Sequence, residues 1–153
     1  MIAFEADVRI ARRIDEVFSY VSDPLKFPRW NFAVESVRTT SRGADAVAPT
    51  YWMERQLPSG RAVNELEVVA SESPREFTIR TITGPTPFFY RYRFSADNDE
   101  TVVTLEAQVE LPLGAGLLPQ LARRLVKGGV NDNLHQLKLI LEGARPLRKA
   151  QRA

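Results

Sequence analysis

The sequence has 153 residues, enough for one domain with a core and room for a pocket, and its 44% hydrophobic and 26% charged content is that of an ordinary globular chain. It has no cysteine, which excludes disulfides, thiolate metal sites and cysteine nucleophiles, and no apolar run near the roughly 18 residues of a membrane span, so stable membrane insertion is not expected. The mild basic balance, 21 Lys and Arg against 19 Asp and Glu, draws on Arg145, Arg148, Lys149 and Arg152 at the end of the chain; no basic helix face or aromatic-basic strand motif accompanies them, so nucleic acid is not an expected partner.

The opening Met1-Ile2-Ala3-Phe4-Glu5 meets an acid at once and lacks the basic lead and apolar run of a signal peptide, so the cytoplasm is the expected location. Ile2, Phe4, Ala6, Val8 and Ile10 alternate with Ala3, Glu5, Asp7 and Arg9, the period of a half-buried strand. Ile14, Val17, Phe18 and Val21 follow helical spacing, and Asp23-Pro24 ends that helix because proline disfavours helix at the residue before it. Pro24 to Trp30 predicts a second short helix or turn, with Phe27 and Trp30 at i,i+3. Strands follow over 33–40, 47–57, 61–71, 75–83, 87–96 and 101–111. They are punctuated by Arg42-Gly43, Pro58-Ser59-Gly60, Ser73-Pro74, Gly84-Pro85 and Asp97-Asn98-Asp99. Turns this short favour an antiparallel meander, of about seven strands counting the first.

A helix is predicted from about Leu117 to Gly143, with Pro119 tolerated in its first turn and Gly143 followed by Pro146 as its stop. At about 100° per residue, Leu118, Ala122, Leu125 and Gly129 share one stripe, and Val126, Val130, Leu134, Leu137 and Leu141 share another about a quarter turn away. The displacement falls at Gly128-Gly129, which predicts a kink or a close backbone contact; the competing reading is that the small residues let the helix pack close to the sheet. Residues 1–143 are thus expected to form one domain, and 144–153 a basic, solvated tail. A long sheet with one apolar face and a single helix long enough to cover it must curl around that helix. The expected class is α+β: a helix-grip fold with about seven antiparallel strands around a long C-terminal helix, two short helices after the first strand, and a gap at the mouth suited to a ligand.

Ile10-Ala11-Arg12-Arg13-Ile14-Asp15-Glu16-Val17-Phe18, Val21-Ser22-Asp23-Pro24 and Trp30 resemble the opening of the START-like (SRPBCC) superfamily, in particular its polyketide cyclase/dehydrase and lipid-transport group. Glu67-Val68-Val69, Pro74-Arg75, Tyr92-Arg93-Phe94, Thr101-Val102-Val103-Thr104 and Asn133-Leu134-His135-Gln136-Leu137-Lys138 resemble it too, in the expected order. The resemblance implies a deep cavity between helix and sheet, with Trp30 plugging its end or touching a ligand. It implies little about the ligand, because members include carriers, cyclases and hydrolases, and fold does not settle function.

The Pro58-Ser59 turn sets a register. If Leu57 faces Gly60, then Arg55 faces Ala62, Met53 faces Asn64 and Tyr51 faces Leu66. Alternation puts Tyr51, Met53, Arg55, Ala62, Asn64, Leu66 and Val68 on the inner face, and Trp52, Glu54, Val63, Glu65 and Glu67 on the wet one. The same reasoning turns inward Phe77, Ile79, Thr81 and Thr83, then Phe88, Tyr90, Tyr92 and Phe94, then Val103, Leu105, Ala107 and Val109; on the helix Asn133 faces in with Val126 and Val130. The expected ligand lining is Trp30, Tyr51, Met53, Arg55, Asn64, Leu66, Ile79, Thr81, Tyr90, Tyr92, Leu105, Val126, Val130 and Asn133.

A greasy wall with a few donors fits a selective apolar pocket, and equally an ordinary core with hydrogen-bonded tyrosines. Arg55 either meets an anionic or carbonyl partner or snorkels to the rim. Asn133 either bridges inside the core or touches ligand. The one histidine, His135, points away from the apolar stripe, and neither a metal site, a nucleotide fingerprint nor another cofactor is expected. The first functional expectation is a carrier or sensor for a mostly apolar small molecule: a lipid, polyketide or aromatic metabolite. The alternatives are a cyclase/dehydratase in which Arg55 polarises a carbonyl while Tyr90 or Tyr92 donates a proton, and a protein-interaction module with a collapsed cavity and an exposed apolar patch. Nothing in the sequence bears on oligomeric state.

Overall fold

A computed structural model describes residues 1–40, 48–111 and 118–143. Strand β1 (Ile2–Ile10) is followed by helix α1 (Ile14–Val21), a 3₁₀ turn (Pro24–Lys26) and the short helix α2 (Phe27–Trp30). Strands β2 (Val34–Thr39), β3 (Thr50–Leu57), β4 (Gly60–Glu72), β5 (Glu76–Thr83), β6 (Phe88–Asp97) and β7 (Glu100–Val109) come next, and helix α3 (Pro119–Leu141) ends the described chain. The seven strands form one antiparallel sheet in the order β1-β7-β6-β5-β4-β3-β2. Sequential neighbours are hairpin partners, and the first strand closes onto the last.

Alternation explains the burial. In β1 the even residues Ile2, Phe4, Ala6 and Ile10 are buried while Ala3, Glu5, Asp7 and Arg9 are exposed. In α1 the buried Val17, Phe18 and Val21 form one stripe, with Asp15 and Glu16 favourably placed in its first turn. The Asp23 carboxylate caps the following turn by accepting from Leu25 N at 3.1 Å. The register expected from the Pro58-Ser59 turn is the observed one: Leu57 pairs with Gly60, Arg55 with Ala62, Met53 with Asn64 and Tyr51 with Leu66. Gly60 adopts φ +123°, a conformation L side chains rarely take.

Helix α3 lies along the edge strand β1 in the same direction. Arg123 Nε donates to Ala3 O (3.1 Å), Lys138 Nζ donates to Arg9 O (2.6 Å), and Glu142 Oε2 accepts from Ala11 N (2.7 Å). These contacts occupy backbone groups of an edge that would otherwise be free to pair with another chain. The buried Ala122, Val130, Leu134 and Leu137 press into the concave sheet with Phe4, Ile79, Leu105 and Ala107. Each fully buried Val, Leu, Ile or Phe side chain among them contributes on the order of 1.5–3 kcal/mol, the alanines less.

Three expectations need correcting. Leu118 and Leu125, two members of the first apolar stripe, are 72% and 59% exposed. The helix runs uninterrupted from Pro119 to Leu141; of the first stripe Ala122 is buried against the sheet while Leu118 and Leu125 are not, and the second stripe packs there through Val130, Leu134 and Leu137. A Cβ added at Gly128 or Gly129 would meet nothing within 4 Å, so neither glycine is needed for close approach to the sheet. Thr83 is exposed rather than inward, because a register shift in the β4–β5 ladder sets it opposite the outward Glu65. The 144–153 tail, the Arg42-Gly43 turn and the helix start at Leu117 lie outside the described residues.

Candidate functional site

Between the concave sheet and α3 lies a cavity of about 160 Å³. Its floor is β3 to β6 (Met53, Arg55, Ile79, Phe88, Tyr90, Tyr92), one wall is α2 with the residues after it (Phe27, Trp30, Asn31, Ala33), and its roof is Val126, Gly129, Val130 and Asn133 of α3. The aromatic rings form a chain of near contacts: Phe27–Trp30 at 5.7 Å, Trp30–Tyr92 at 6.2 Å, Tyr92–Tyr90 at 6.3 Å and Tyr90–Phe88 at 4.6 Å. The chain ends on a cation, with Arg55 Cζ 5.2 Å from the centre of the Phe88 ring. A wider groove of about 790 Å³ between β1, β7 and α3 stands open to solvent and includes the ion-paired Glu5, Arg91 and Glu106, so it offers no comparable enclosure.

Arg55 does not snorkel to the rim. It is 9% exposed and its head is held by oxygen acceptors. Nε and Nη2 donate to Asn64 Oδ1 at 3.0 and 2.7 Å, and Nη2 also donates to the carbonyls of Pro85 and Thr86 at 3.0 and 3.1 Å. Asn64, fully buried behind it, donates Nδ2 to Thr83 O (3.2 Å) and Pro85 O (2.8 Å). Gly84 makes that turn possible: it adopts φ +102°, and an added Cβ would collide with Val63 O and Asn64 Nδ2. Strands β3 and β4 and the turn between β5 and β6 are thus tied together at one corner of the cavity.

The polar groups on the wall are mostly donors. Trp30 Nε1 is buried with no hydrogen-bond partner. Asn133 spends its Oδ1 on Phe32 N at 3.0 Å, which pins α3 to the chain before β2. Neither the Tyr90 nor the Tyr92 phenol makes a hydrogen bond to another described residue, unlike the tyrosines of an ordinary core. Burial pushes the Tyr90 phenol up to about 12, against a smaller opposing pull from the Arg55 charge, and burial raises Tyr92 well above the usual phenol range. Desolvation lowers the Arg55 guanidinium, partly offset by Tyr90. Arg55, Tyr90 and Tyr92 are the only titratable groups among the described residues of this lining.

Of the residues expected from sequence, Trp30, Met53, Arg55, Ile79, Tyr90, Tyr92, Val126, Val130 and Asn133 line this cavity. Asn64 stands behind Arg55. Leu66 and Leu105 are core residues, Tyr51 is half-buried beside Leu66, and the Thr81 hydroxyl is taken up by the backbone of Phe88. Phe27, Asn31, Ala33, Phe88 and Gly129 line the cavity as well, outside the expected set, although Phe88 is among the residues that alternation turns inward. The i,i+3 spacing of Phe27 and Trp30 is the one available signal for Phe27; for Gly129 it is its place on the helical wheel beside Asn133. His135 is exposed and takes no part. No group of three or more metal-ligating side chains occurs among the described residues, and no described helix is long and apolar enough to cross a membrane.

The profile of the family described as polyketide cyclase / dehydrase and lipid transport matches residues 1–142. No curated protein matches the sequence. Among solved structures, a START superfamily protein from Mycobacterium smegmatis superposes with a TM-score of 0.79 at 16% identity, over 92% of this chain and 97% of that one. A protein from Thermus thermophilus superposes with a TM-score of 0.76 at 17% identity, over 92% and 97%. The di-domain ARO/CYC protein StfQ from the steffimycin biosynthetic pathway gives 0.73 at 17% identity, over 93% of this chain and 51% of that one. These likenesses show a shared helix-grip fold.

Proposed function

We propose, from the premise that this chain belongs to the polyketide cyclase/dehydrase and lipid transport family, that it binds a mostly apolar small molecule between its sheet and α3, as a carrier or sensor. The observation that carries this reading is the wall itself: a continuous arc of aromatic rings with a few unspent donors and no carboxylate or imidazole among its described residues. Rings supply affinity without direction, and isolated donors orient a guest. Aldol-type ring closure also needs a group to take up a proton. A phenol held protonated up to about pH 12 supplies none at neutral pH, which puts binding ahead of cyclase chemistry through Arg55, Tyr90 or Tyr92. The open cavity speaks against a pure interaction module, although the exposed Leu118, Leu121 and Leu125 keep some of the apolar surface that reading expects.

The test is titration with toluene, a neutral apolar probe. A Trp52→Phe variant leaves Trp30 as the sole indole reporter. Saturable change in Trp30 emission, with amide shifts confined to the cavity-lining parts of β3, β5 and β6, α2 with the residues after it, and the middle of α3, is expected. A linear, non-saturating response would remove the reading.

A further inference from the structure

Arg55 is the only charged side chain in the buried set of the described residues. Every arginine in a described ion pair keeps 42% or more of its side chain exposed. Among the described residues Arg55 has no such pair: its partners are an amide oxygen, two backbone carbonyls and the face of Phe88, all neutral. Those dipoles solvate the guanidinium but do not cancel its charge, and a buried, uncompensated charge is costly. Nothing else on the described lining can cancel it, since Tyr90 and Tyr92 are neutral phenols at physiological pH. No described residue of the lining supplies the missing negative charge.

The unspent atoms agree. Among the described residues the hydrogen bonds of Arg55 all leave from Nε and Nη2, so Nη1 remains available. Trp30 Nε1 is a second unpartnered donor on the same wall, and Asn133, with its oxygen already used, has its amide N–H groups left. A wall offering donors and one cation suits oxygen acceptors and repels ammonium groups. Size narrows the choice further: a cavity near 150 Å³ holds a benzene-sized molecule, and this one is about 160 Å³. A long acyl chain or a fused multi-ring skeleton would have to extend beyond that space through the open side of the cavity.

Resting on the binding reading above, we infer that the guest is a single-ring aromatic monoanion of the arene carboxylate class, its oxyanion against Arg55 and its ring among Trp30, Tyr90, Tyr92 and Phe88. The anion completes an ion pair whose positive half is already in place, while the ring replaces water along the aromatic arc.

Isothermal titration calorimetry of the full chain with benzoate, its neutral isostere benzamide, and toluene tests this at neutral pH. Wild type is expected to bind benzoate about tenfold or more tightly than benzamide, a difference of about 1.4 kcal/mol. Arg55→Met is expected to bring that ratio close to one, and Arg55→Lys, which keeps the charge, to retain a preference for the acid. Equal affinity of wild type for benzoate and benzamide overturns the inference; if toluene still binds, the apolar-binding reading survives it. Failure of all three probes removes both. The wild-type ratio needs no variant, so a misfolded Arg55→Met leaves the test intact.

Discussion

Strand β6 presents two kinds of surface one residue apart. Arg91 and Arg93 point to the convex face, where Arg91 meets Glu106 at 3.4 Å and Glu76 at 3.6 Å, and Arg93 meets Glu106 at 2.6 Å and Glu5 at 3.5 Å. Tyr90 and Tyr92, between and beside them, point to the concave face, where the nearest charge is the unpaired Arg55. On the wet face, charges are plentiful, paired and of small individual value, because water screens them and their side chains lose entropy in pairing. On the dry face a single charge dominates, because little there screens it. Counting ion pairs would therefore point to the wrong side of the sheet; the informative charge is the one without a partner.

Neighbouring residues on β7 give the sharpest way to break this comparison. Leu105→Ala, at a site 1% exposed on the concave face, should cost about 2–5 kcal/mol in chemical denaturation. Glu106→Gln, the next residue on the convex face, should cost about 1 kcal/mol or less, and added salt should shrink even that. A comparable loss at both positions would mean the faces are not distinct. Asn64→Ala should come next, at about 1–3 kcal/mol, since it strips the buried guanidinium of the oxygen that accepts from both Nε and Nη2. Alanine at Arg61, the exposed partner of the half-buried Glu54, should be close to neutral in the same assay.

Two pH experiments probe smaller effects. The folded state raises the Tyr90 phenol from its ordinary 10 to about 12, so its contribution is complete below pH 10 and disappears as pH rises from about 10 to about 12. Tyr90→Phe should flatten that part of the alkaline stability curve, and in wild type the phenolate absorbance of Tyr90 should appear last or nearly so. Glu142 moves the other way. The Lys138 ammonium and the Ala11 N–H hold its carboxyl below the usual range, so its contribution is present above the ordinary carboxylate pKa and is lost as pH falls through the lowered one. Glu142→Gln should remove a small acid-dependent increment of stability while leaving the neutral-pH cavity unchanged by amide shifts.

The sheet was legible because its signals are local. A two-residue turn at Pro58-Ser59 and strict alternation placed Arg55 and Asn64 on the concave face, and the pairing of Arg55 with Ala62 follows from them. The neighbours of Arg55 were not legible. Its carbonyl partners come from a turn about thirty residues away, shaped by the positive φ of Gly84 and Thr86, which hydrophobic periodicity does not encode. Asn31 and Ala33 reach the cavity from irregular chain, where no period applies. On α3 the wheel gave two apolar stripes, but which of their residues the sheet covers depends on the docking along β1, set by long-range bonds such as Lys138 to Arg9.

The closure of β1 onto β7 also sets an order of events. Residues 2–10 are made well before their ladder partners, residues 101–109, so the strand with the alternating Ile2, Phe4, Ala6 and Ile10 has no mate until most of the domain has been synthesised. The hairpins from β2 to β7 pair neighbours in sequence and close quickly; the β1–β7 ladder carries the loop-closure entropy of the whole domain and belongs to the slow end of folding. During that interval an apolar strand stays without its ladder partner, which leaves residues 2–10 open to mispairing for longer than any of the hairpin strands.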